Sequence, residues 1–313
     1  MLPAPLLLDL PEPFAERAGV RLRLLRDDLL YPELPGNKWR KLKYNLLAAR
    51  EQGHDTLLTF GGAYSNHLAA VAAAGRRQGF RTIGVVRGEE AATLSPTLQQ
   101  CRLDDMELHF VSREAYRRRD EAAWVGEWLT ALGPAYVLPE GGTNALALRG
   151  VAELVQELDA AGETYDALAV ACGTGGTLAG LLTGLDGRRL AVGVAALKGA
   201  DWLRAEVDAL TEQATGRRYA NYHLHLNAHF GGYARYSAEL LAFIDSFYQR
   251  HHVLLDPVYT GRLLAGVLQL IEAGHFAPGS TVVAIHTGGL QGWAGFGQRF
   301  GVRPPGLIGG EEK

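Results

Sequence analysis

The chain has 313 residues, a length that suits about two domains of ordinary size. Its 31 lysines and arginines against 34 aspartates and glutamates leave a formal net charge of −3, so its overall electrostatics give no support for nucleic-acid binding. Hydrophobic residues make up 47% of the chain and charged residues 21%, which is typical of a globular protein and excludes an intrinsically disordered one.

Export and membrane signals are weak in this sequence. The first eight residues contain two prolines and no basic residue, a poor match to a secretory signal peptide. No apolar stretch reaches the roughly 18 residues that a membrane span needs. The two cysteines, Cys101 and Cys172, lack the spacing of a disulfide framework. We therefore expect a soluble cytoplasmic protein that binds neither membrane nor nucleic acid.

The first part of the chain predicts few regular elements. Its first 50 residues contain a proline-rich lead, a loop and a helix over 39–50, with no convincing buried strand. The first clear strand is predicted over 56–60, and two glycines and a helix with Ser65 as its N-cap follow it. A second N-cap, Ser95, precedes a proline at the first position of the next predicted helix.

Beyond that point, short apolar runs alternate with amphipathic segments. The runs predict further strands over 81–86, 107–111, 135–138, 167–171, 190–194 and 281–285. Amphipathic helices are predicted over 146–160 and 235–248. Strands that lack in-and-out alternation and are separated by helices indicate a parallel sheet covered on both faces. The predicted fold class is therefore α/β.

Two α/β architectures fit this pattern, an eightfold barrel and open sheets in two lobes. A barrel needs similar strand–helix units from the beginning, which the first 50 residues do not provide. We therefore predict two open parallel-sheet lobes with helices on both faces. The small lobe is predicted over 48–150, and the large lobe over 1–47 and 151–313.

The most specific motif is the glycine-rich stretch that follows the predicted strand 167–171. Gly173, Thr174, Gly175, Gly176 and Thr177 open a helix there. Glycines free the backbone amides, and a helix N-terminus adds partial positive charge, so such a loop can cradle a phosphate. The spacing matches neither a dinucleotide fingerprint nor a P-loop. The simpler alternative is a turn that brings helix and strand close together.

A lysine at a predicted helix start is the second candidate. Asn37 is the expected N-cap, and Lys38 follows it, where the helix dipole should lower the pKa of the amine. A lysine of this kind suits imine chemistry. Lys41 and Lys43 lie off the apolar face of the helix and are expected to be solvated. Taken alone, the pattern favours the simpler explanation that Lys38 is a surface lysine.

Three further motifs end predicted strands or begin helices. Ser65, Asn66 and His67 follow a glycine turn, where Ser65 can cap the helix and the other two can point at one place. The glycines of a hydrolase nucleophile elbow are absent there. D-P-V-Y-T-G at 256–261 and H-T-G-G at 286–289 complete the set. In a doubly wound sheet such strand ends face one crevice.

Together these motifs resemble those of a known family. G-N-K-x-R-K around Lys38, S-N-H, G-T-G-G-T, D-P-V-Y-T-G and H-T-G-G occur in this order over roughly residues 20–300. The set is similar to the pyridoxal-phosphate enzymes of fold type II, in particular the 1-aminocyclopropane-1-carboxylate deaminase / D-cysteine desulfhydrase family. The resemblance implies a tryptophan synthase β-like fold with pyridoxal 5'-phosphate in the cleft between the lobes.

The resemblance also implies roles for matching residues. Lys38 would hold the cofactor as a Schiff base and later move the substrate's α-proton. Ser65 would orient the substrate carboxylate or relay a proton, and Asn66 would hydrogen bond the pyridoxal ring oxygen. Tyr259 would lie against the ring and the substrate. Thr287 would face the pyridine nitrogen, and its neutral hydroxyl suits proton loss followed by prompt β-elimination.

Two sets of contacts complete the implied site. The cofactor phosphate would be bound by Gly173, Thr174, Gly175, Gly176 and Thr177. The substrate would be contacted by Ser65, Asn66, His67 and Tyr259.

The sequence departs from the family pattern at three places. Pro35 precedes Gly36 where a second glycine is common, and Arg262 replaces the lysine of the usual Y-T-G-K. The segment 290–295 reads L-Q-G-W-A-G where A-P-A-L is expected. This last segment lies on the substrate side, so the departures concern the identity of the substrate.

No metal site is expected. His223, His225 and His229 have a spacing that suits a metal, but no cysteine or carboxylate completes a ligand set. A strand in which Tyr222 and Leu224 alternate with the histidines explains this spacing better.

The leading functional hypothesis is a pyridoxal-phosphate-dependent lyase that converts a small amino acid such as D-cysteine into pyruvate, ammonia and sulfide. The nearest alternative is ring-opening deamination of 1-aminocyclopropane-1-carboxylate. A racemase or dehydratase on the same scaffold is a third hypothesis, and a non-catalytic carrier of pyridoxal phosphate is a fourth. We expect a homodimer.

Overall fold

Apolar runs and amphipathic segments alternate as strands and helices in the folded chain. A computed structural model of the protein describes residues 5–30, 34, 36–232, 235 and 237–306. The strands found there are β1 (Leu7–Asp9), β2 (Arg21–Leu25), β3 (Thr56–Gly62), β4 (Arg81–Arg87), β5 (Met106–Val111), β6 (Tyr136–Leu138), β7 (Ala167–Cys172), β8 (Leu190–Ala195), β9 (Tyr222–His225) and β10 (Thr281–Ile285). The α-helices found there are α1 (Pro13–Arg17), α2 (Asn37–Glu51), α3 (Asn66–Gln78), α4 (Pro96–Leu103), α5 (Arg113–Tyr116), α6 (Ala122–Leu132), α7 (Ala145–Ala160), α8 (Gly176–Leu185), α9 (Leu203–Thr215), α10 (Ala238–His251), α11 (Thr260–Glu272) and α12 (Gly292–Phe300).

The strands form two separate sheets. The small sheet has the order β5-β4-β3-β6 and is parallel throughout. The large sheet has the order β1-β2-β10-β7-β8-β9 and is parallel except where β1 pairs with β2. The predicted α/β class with two open sheets is therefore confirmed, and neither sheet closes into a barrel.

Neighbouring residues of one strand enter opposite cores. In β3, Leu57 packs in the cluster that contains Leu42 of α2 and Val71 of α3. The next residue, Leu58, packs on the other face with Trp124 of α6. Because helices cover both faces, the strand has no solvent-facing side, and its sequence shows no alternation of polar and apolar residues.

The first 50 residues contain two strands, which corrects the prediction. β1 and β2 form the edge of the large sheet, and β2 pairs in parallel with β10. Leu22 and Leu24 of β2 are buried, while Arg21 and Arg23 alternate with them and form ion pairs with Asp9. This alternation is typical of a half-exposed strand and was the available sequence signal.

Two helix starts differ from the predictions. α2 begins at Asn37, and its N-cap is Gly36 at φ +53°, so Asn37 is not the cap. The left-handed backbone at this position favours glycine. α10 begins at Ala238, later than the predicted start at 235, and Ser237 caps it.

The strands of the small sheet all lie between residues 56 and 138, inside the predicted small lobe. The lobe boundaries at 47/48 and 150/151 stay a prediction. No helix in the described ranges has the length and apolar character needed to cross a bilayer.

Candidate active site

A cavity of about 330 Å³ lies at the carboxyl ends of β3, β7 and β10. Glycines end β3 and follow β7 and β10. Parallel pairing places the turns after β7 and β10 at one edge of the large sheet, and the end of β3 reaches the cavity from the small sheet. Every residue predicted for the site lines this cavity: Lys38, Ser65, Asn66, His67, Gly173, Thr174, Gly175, Gly176, Thr177, Tyr259 and Thr287. The fold therefore brings together motifs that are up to about 250 positions apart in sequence.

Lys38 is the second residue of α2 and is half-buried. Its Nζ forms no hydrogen bond or ion pair with the described residues. Burial lowers the pKa of this amine to about 8. The predicted direction of the pKa shift is confirmed, with desolvation as its cause instead of the helix dipole. The amine is thus available as a nucleophile near neutral pH.

The segment before Lys38 lies against the turn that contains Thr287. A Cβ atom at Gly36 would be 2.9 Å from the carbonyl oxygen of Thr287. Only glycine allows this approach at the observed positive φ. The contact places the start of α2 beside the turn after β10.

Lys41 is buried, so the prediction that it is solvated is wrong. Only 3% of the residue is exposed, and Nζ donates hydrogen bonds to the Gly141 carbonyl oxygen (3.2 Å) and Thr143 Oγ1 (3.0 Å). Both partners are neutral, and no carboxylate of the described chain pairs with this amine. Burial and the charge of Lys38 hold the pKa of Lys41 well below its usual value.

Lys43 also differs from its prediction, to a smaller degree. Its Nζ forms an ion pair with Glu153 at 2.7 Å, and the lysine side chain is 29% exposed. The reason is the same for both lysines. A sequence pattern shows which helix face is apolar, but α7 also packs against α2 and covers part of its polar face.

The glycine loop between β7 and α8 has the features of an anion cradle. Gly175 at φ +80° is the N-cap of α8, and no side chain caps the helix. The first amides of α8 are thereby left for another acceptor. A Cβ atom at Gly176 would lie 2.4 Å from Thr143 Oγ1 and 3.0 Å from Lys41 Nζ. The buried amine of Lys41 therefore lies beside the loop.

A hydrogen bond joins the lysine helix to this loop. Asn37 Nδ2 donates to Thr177 Oγ1 at 3.1 Å. The predicted cap residue thus has a different function, which is to fix the start of α2 relative to α8.

Ser65 caps α3 as predicted, because its Oγ accepts a hydrogen bond from the amide of Leu68. Asn66 is the first residue of α3, and its Nδ2 lies 3.4 Å from the position of a Cβ atom at Gly289. A side chain at Gly61 would collide with Ser65 Oγ at 2.6 Å. The serine and the asparagine are therefore both held at the cavity wall.

His67 is buried on the same wall. Its Nε2 lies 2.9 Å from Thr59 Oγ1, and this hydroxyl donates its proton to the carbonyl oxygen of Leu138. The partners thus assign the imidazole proton to Nε2, which leaves Nδ1 as an acceptor with no partner among the described residues. Burial and two nearby lysines hold the pKa of His67 well below its usual value, so the ring is neutral.

Tyr259 is positioned by a carboxylate that the sequence analysis quoted only as part of a motif. Asp256 is fully buried, and it accepts hydrogen bonds from the amides of Val258, Tyr259 and Thr260, each at 2.8 Å. The Tyr259 hydroxyl lies 3.5 Å from the position of a Cβ atom at Gly173. The loop between His251 and α11 therefore presents this phenol to the glycine loop.

Thr287 belongs to a turn that is held by its neighbour. His286 is fully buried, and its Nε2 donates to the carbonyl oxygen of Leu254 at 2.9 Å. Its Nδ1 accepts from the amide of Gly288 at 3.2 Å. Gly288 and Gly289 both have positive φ, which lets the chain turn sharply and leaves Thr287 at the cavity.

The three departures from the family pattern lie at different places in the chain. Arg262 is fully buried and donates to the carbonyl oxygens of Val258, Gly232 and Arg235, so it fixes loops behind the cavity. Pro35 lies outside the described residues. The segment 290–295 contains the first turn of α12.

The lining residues that were not predicted for the site include Tyr64, Arg87 and Glu140. Tyr64 directly precedes the S-N-H motif, so its position was a usable signal. Arg87 ends β4 beside the end of β3, with Nη2 3.3 Å from the position of a Cβ at Gly62. Parallel pairing of two strands, which sequence spacing does not reveal, brings it to the site.

Comparison with known proteins identifies the family. The family model described as pyridoxal-phosphate dependent enzyme matches residues 3–288. The chain belongs to this family. The cofactor is therefore pyridoxal phosphate, and the resemblance drawn from the five motifs is confirmed.

Relatives of this pyridoxal-phosphate-dependent enzyme carry two related names. D-cysteine desulfhydrase of Yersinia pestis (strain Pestoides F) is 32% identical over 290 residues, which cover 87% of each chain. The bifunctional D-cysteine desulfhydrase/1-aminocyclopropane-1-carboxylate deaminase of Arabidopsis thaliana, a mitochondrial protein, is 32% identical over 297 residues, covering 88% of this chain and 73% of the relative. A crystal structure described as the ACC deaminase homologue matches with a TM-score of 0.84 and 28% identity, covering 95% of this chain and 93% of that one.

The residues at the cavity fit this cofactor. An anionic phosphate would give the buried Lys41 amine the counter-charge that the described protein groups do not supply. The glycine loop lines the cavity, and the absence of a side chain at Gly176 lets Thr143 and the Lys41 amine lie against it. The half-buried amine of Lys38, with its lowered pKa, is suited to bond an aldehyde carbon.

Proposed function

We propose that this enzyme is a lyase that removes sulfide and ammonia from D-cysteine or a similar small amino acid and releases pyruvate. The observation that carries the proposal is the pairing of two lysines at one cavity. Lys38 is without a partner in the described chain and has a lowered pKa, while Lys41 is buried beside the glycine loop. The relatives named D-cysteine desulfhydrase support the substrate class.

We assign the cofactor contacts from this arrangement. The amides of Gly173–Thr177 and the ammonium of Lys41 bind the phosphate group. Lys38 forms the covalent bond to the aldehyde carbon of the cofactor. Asn66 donates to the ring oxygen, and the Thr287 hydroxyl faces the ring nitrogen.

Bound pyridoxal phosphate draws electrons from the bonds of the amino acid's α-carbon. In the proposed reaction Lys38 takes the α-proton at Nζ, because a pKa of about 8 leaves about a tenth of the amine unprotonated at pH 7, far more than for an ordinary lysine. Ser65, at the N-terminus of α3, orients the substrate carboxylate together with Asn66. The neutral His67 contributes an acceptor at Nδ1, and Tyr259 packs against the substrate.

Sulfur leaves the β-carbon as a thiolate, a good leaving group that needs little acid catalysis. Opening of a cyclopropane ring places a larger demand on nucleophilic or acidic groups near the ring nitrogen. The turn 285–289 beside Thr287 offers neither tyrosine nor glutamate. This favours β-elimination over ring opening.

Deamination of 1-aminocyclopropane-1-carboxylate is the second candidate, because relatives carry that name and Tyr64 adds a second phenol to the cavity beside Tyr259.

Steady-state assays of sulfide release from D-cysteine and of 2-oxobutanoate release from 1-aminocyclopropane-1-carboxylate separate the two candidate functions. We expect kcat/KM for D-cysteine to be larger by at least about tenfold, or 1.4 kcal/mol of barrier. Equal or reversed values would refute the preference. Activity toward neither substrate would refute both assignments.

We also propose that the enzyme works in the cytoplasm as a homodimer. Both cysteines, Cys101 and Cys172, are free and buried, which suits a reducing compartment. Several large apolar side chains are exposed and would be covered by a second copy: Leu29, Leu47, Leu103 and Trp202. Light scattering coupled to size-exclusion chromatography tests the dimer, and a monomeric mass would overturn it.

A further inference from the structure

A second, smaller cavity adjoins the first. Tyr64, Asn66 and Tyr259 line both cavities, so these three residues form their shared wall. The other residues of the small cavity come from α4, the loop before α11, and α12: Thr97, Val258, Gly292, Gly295, Phe296, Arg299 and Phe300. We call this space the side pocket.

The side pocket is apolar and small. Val258, Phe296 and Phe300 supply hydrocarbon walls, and Arg299 is the one charged residue among the lining residues described. Its volume is about 30 Å³. A cavity that holds a single water molecule has a volume of about 10–15 Å³. The side pocket therefore has room for one or two carbon atoms.

A glycine keeps the shared wall in place. A Cβ atom at Gly295 would lie 2.7 Å from Cδ1 and 3.0 Å from Cε1 of Tyr64, so any side chain there must displace the phenol ring. Gly295 lies inside α12 without a positive φ, so the backbone itself accepts alanine. The absence of a side chain at this position therefore decides the position of Tyr64 and the shape of the pocket.

We propose that the side pocket binds the β-substituent of the substrate, and that the enzyme acts on cysteine derivatives with a short apolar group on sulfur, such as S-methylcysteine. This inference rests on the proposed lyase function and refines its substrate class. Asn66 and Tyr259, assigned above to the cofactor and the substrate, also border the side pocket. A substituent that extends from the β-carbon past these residues enters an apolar recess.

The elimination remains balanced for such a substrate. The bond between α-carbon and hydrogen breaks and the proton goes to Lys38. The bond between β-carbon and sulfur breaks with its electron pair on sulfur, and the methanethiolate takes a proton. The remaining three-carbon enamine reacts with one water to give pyruvate and ammonia, without an oxidant or a reductant.

Binding of unreactive linear amino acids to the holoenzyme tests the pocket without turnover. D-alanine, D-2-aminobutyrate, D-norvaline and D-norleucine add one carbon at a time, and norvaline has the length of S-methylcysteine. Calorimetric titration should show norvaline binding about tenfold more tightly than alanine, since each buried CH₂ contributes about 0.8 kcal/mol. Norleucine should bind no more tightly than norvaline, because the pocket is full.

Two variants of α12 and one matched control locate the effect. Gly295→Ala should weaken norvaline binding at least about tenfold and leave alanine within about twofold, as displaced Tyr64 fills the pocket. Gly297→Ala makes the same change two residues away, where a Cβ atom meets only the carbonyl oxygen of Val302 at 3.5 Å, and should behave as wild type. Phe300→Ala enlarges the pocket and should make norleucine the tightest ligand.

The outcomes separate the pocket from the proposed activity. Three outcomes would overturn the pocket assignment: an affinity that does not depend on ligand chain length, equal effects of Gly295→Ala and Gly297→Ala, or no binding at any chain length. Release of a 2-oxo acid from D-cysteine and S-methyl-D-cysteine is measured independently. Chain-length-dependent binding without any 2-oxo acid would reject the lyase function and retain the pocket.

Discussion

Replacing Lys41 by methionine should weaken cofactor binding while sparing the fold. Methionine is close to lysine in length and removes only the amine. That amine is 3% exposed, has two neutral hydrogen-bond partners and lies beside Gly176 of the glycine loop. The substitution therefore deletes the buried cation that we assign to the phosphate.

The structure predicts the direction of two changes, one in cofactor affinity and one in the stability of the apoenzyme. A hydrogen bond to a charged group is worth about 1.5–3 kcal/mol, so the dissociation constant of pyridoxal phosphate should rise about 10- to 100-fold. The apoenzyme loses two hydrogen bonds of about 1 kcal/mol each, but it also loses the cost of burying a lysine amine whose pKa lies well below its usual value. Its free energy of unfolding should therefore be unchanged or higher.

Titration of the apoenzyme with pyridoxal phosphate and with pyridoxal measures the phosphate contribution directly. Lys41→Met should weaken binding of the phosphate-bearing ligand only, and urea denaturation should show that the apoenzyme keeps its stability. Lys43→Met is the matched control, since Lys43 pairs with Glu153 away from the cavity lining. Equal loss for both ligands, or a destabilised apoenzyme with normal affinity, would refute the assignment.

Three further predictions concern the same site. Borohydride reduction of the holoenzyme followed by peptide mapping should label Lys38, and a label on Lys41 would contradict the site. The rate of cofactor attachment to the apoenzyme should rise about tenfold per pH unit below a pKa of about 8 and level off above it, because only unprotonated Lys38 reacts. A rate that continues to rise up to about pH 10 would indicate a lysine with an ordinary pKa. Gly176→Ala should reduce pyridoxal-phosphate affinity at least about tenfold, since its Cβ would lie 2.4 Å from Thr143 Oγ1, while Gly126→Ala, with open space around it, should match wild type.

The sequence by itself determined the strand–helix alternation and the residues at the strand ends. Strands such as β3 are buried on both faces, so each one is recognisable as a mostly apolar run in a single sequence. Glycines end β3 and follow β7 and β10, each with polar neighbours, and parallel pairing gathers the turns after β7 and β10 at one edge of the large sheet. The end of β3 belongs to the small sheet and reaches the same cavity through tertiary packing. Ser65 could be chosen on this basis, whereas Lys38 was chosen at a predicted helix start and Tyr259 from the resemblance of its motif to the family.

Only the tertiary structure decided which polar side chains are buried. Lys41 and Lys43 lie in one helix turn and have the same local pattern, yet the loop that contains Gly141 and Thr143 covers the first, whereas the second pairs with Glu153 of α7 and stays partly exposed. The place of β2 in the large sheet, between β1 and β10, was also decided by the tertiary structure, because β10 lies over 250 residues later in the chain.

The shape of the side pocket is also a tertiary property. Gly295 of α12 and Tyr64 before α3 are separated by most of the chain, and neither residue type indicates a contact by itself. Local sequence reports backbone preference and the apolar face of each element. Burial, pKa and cavity shape depend on which elements pack together, because desolvation and steric exclusion act between atoms that are close in space and distant in sequence.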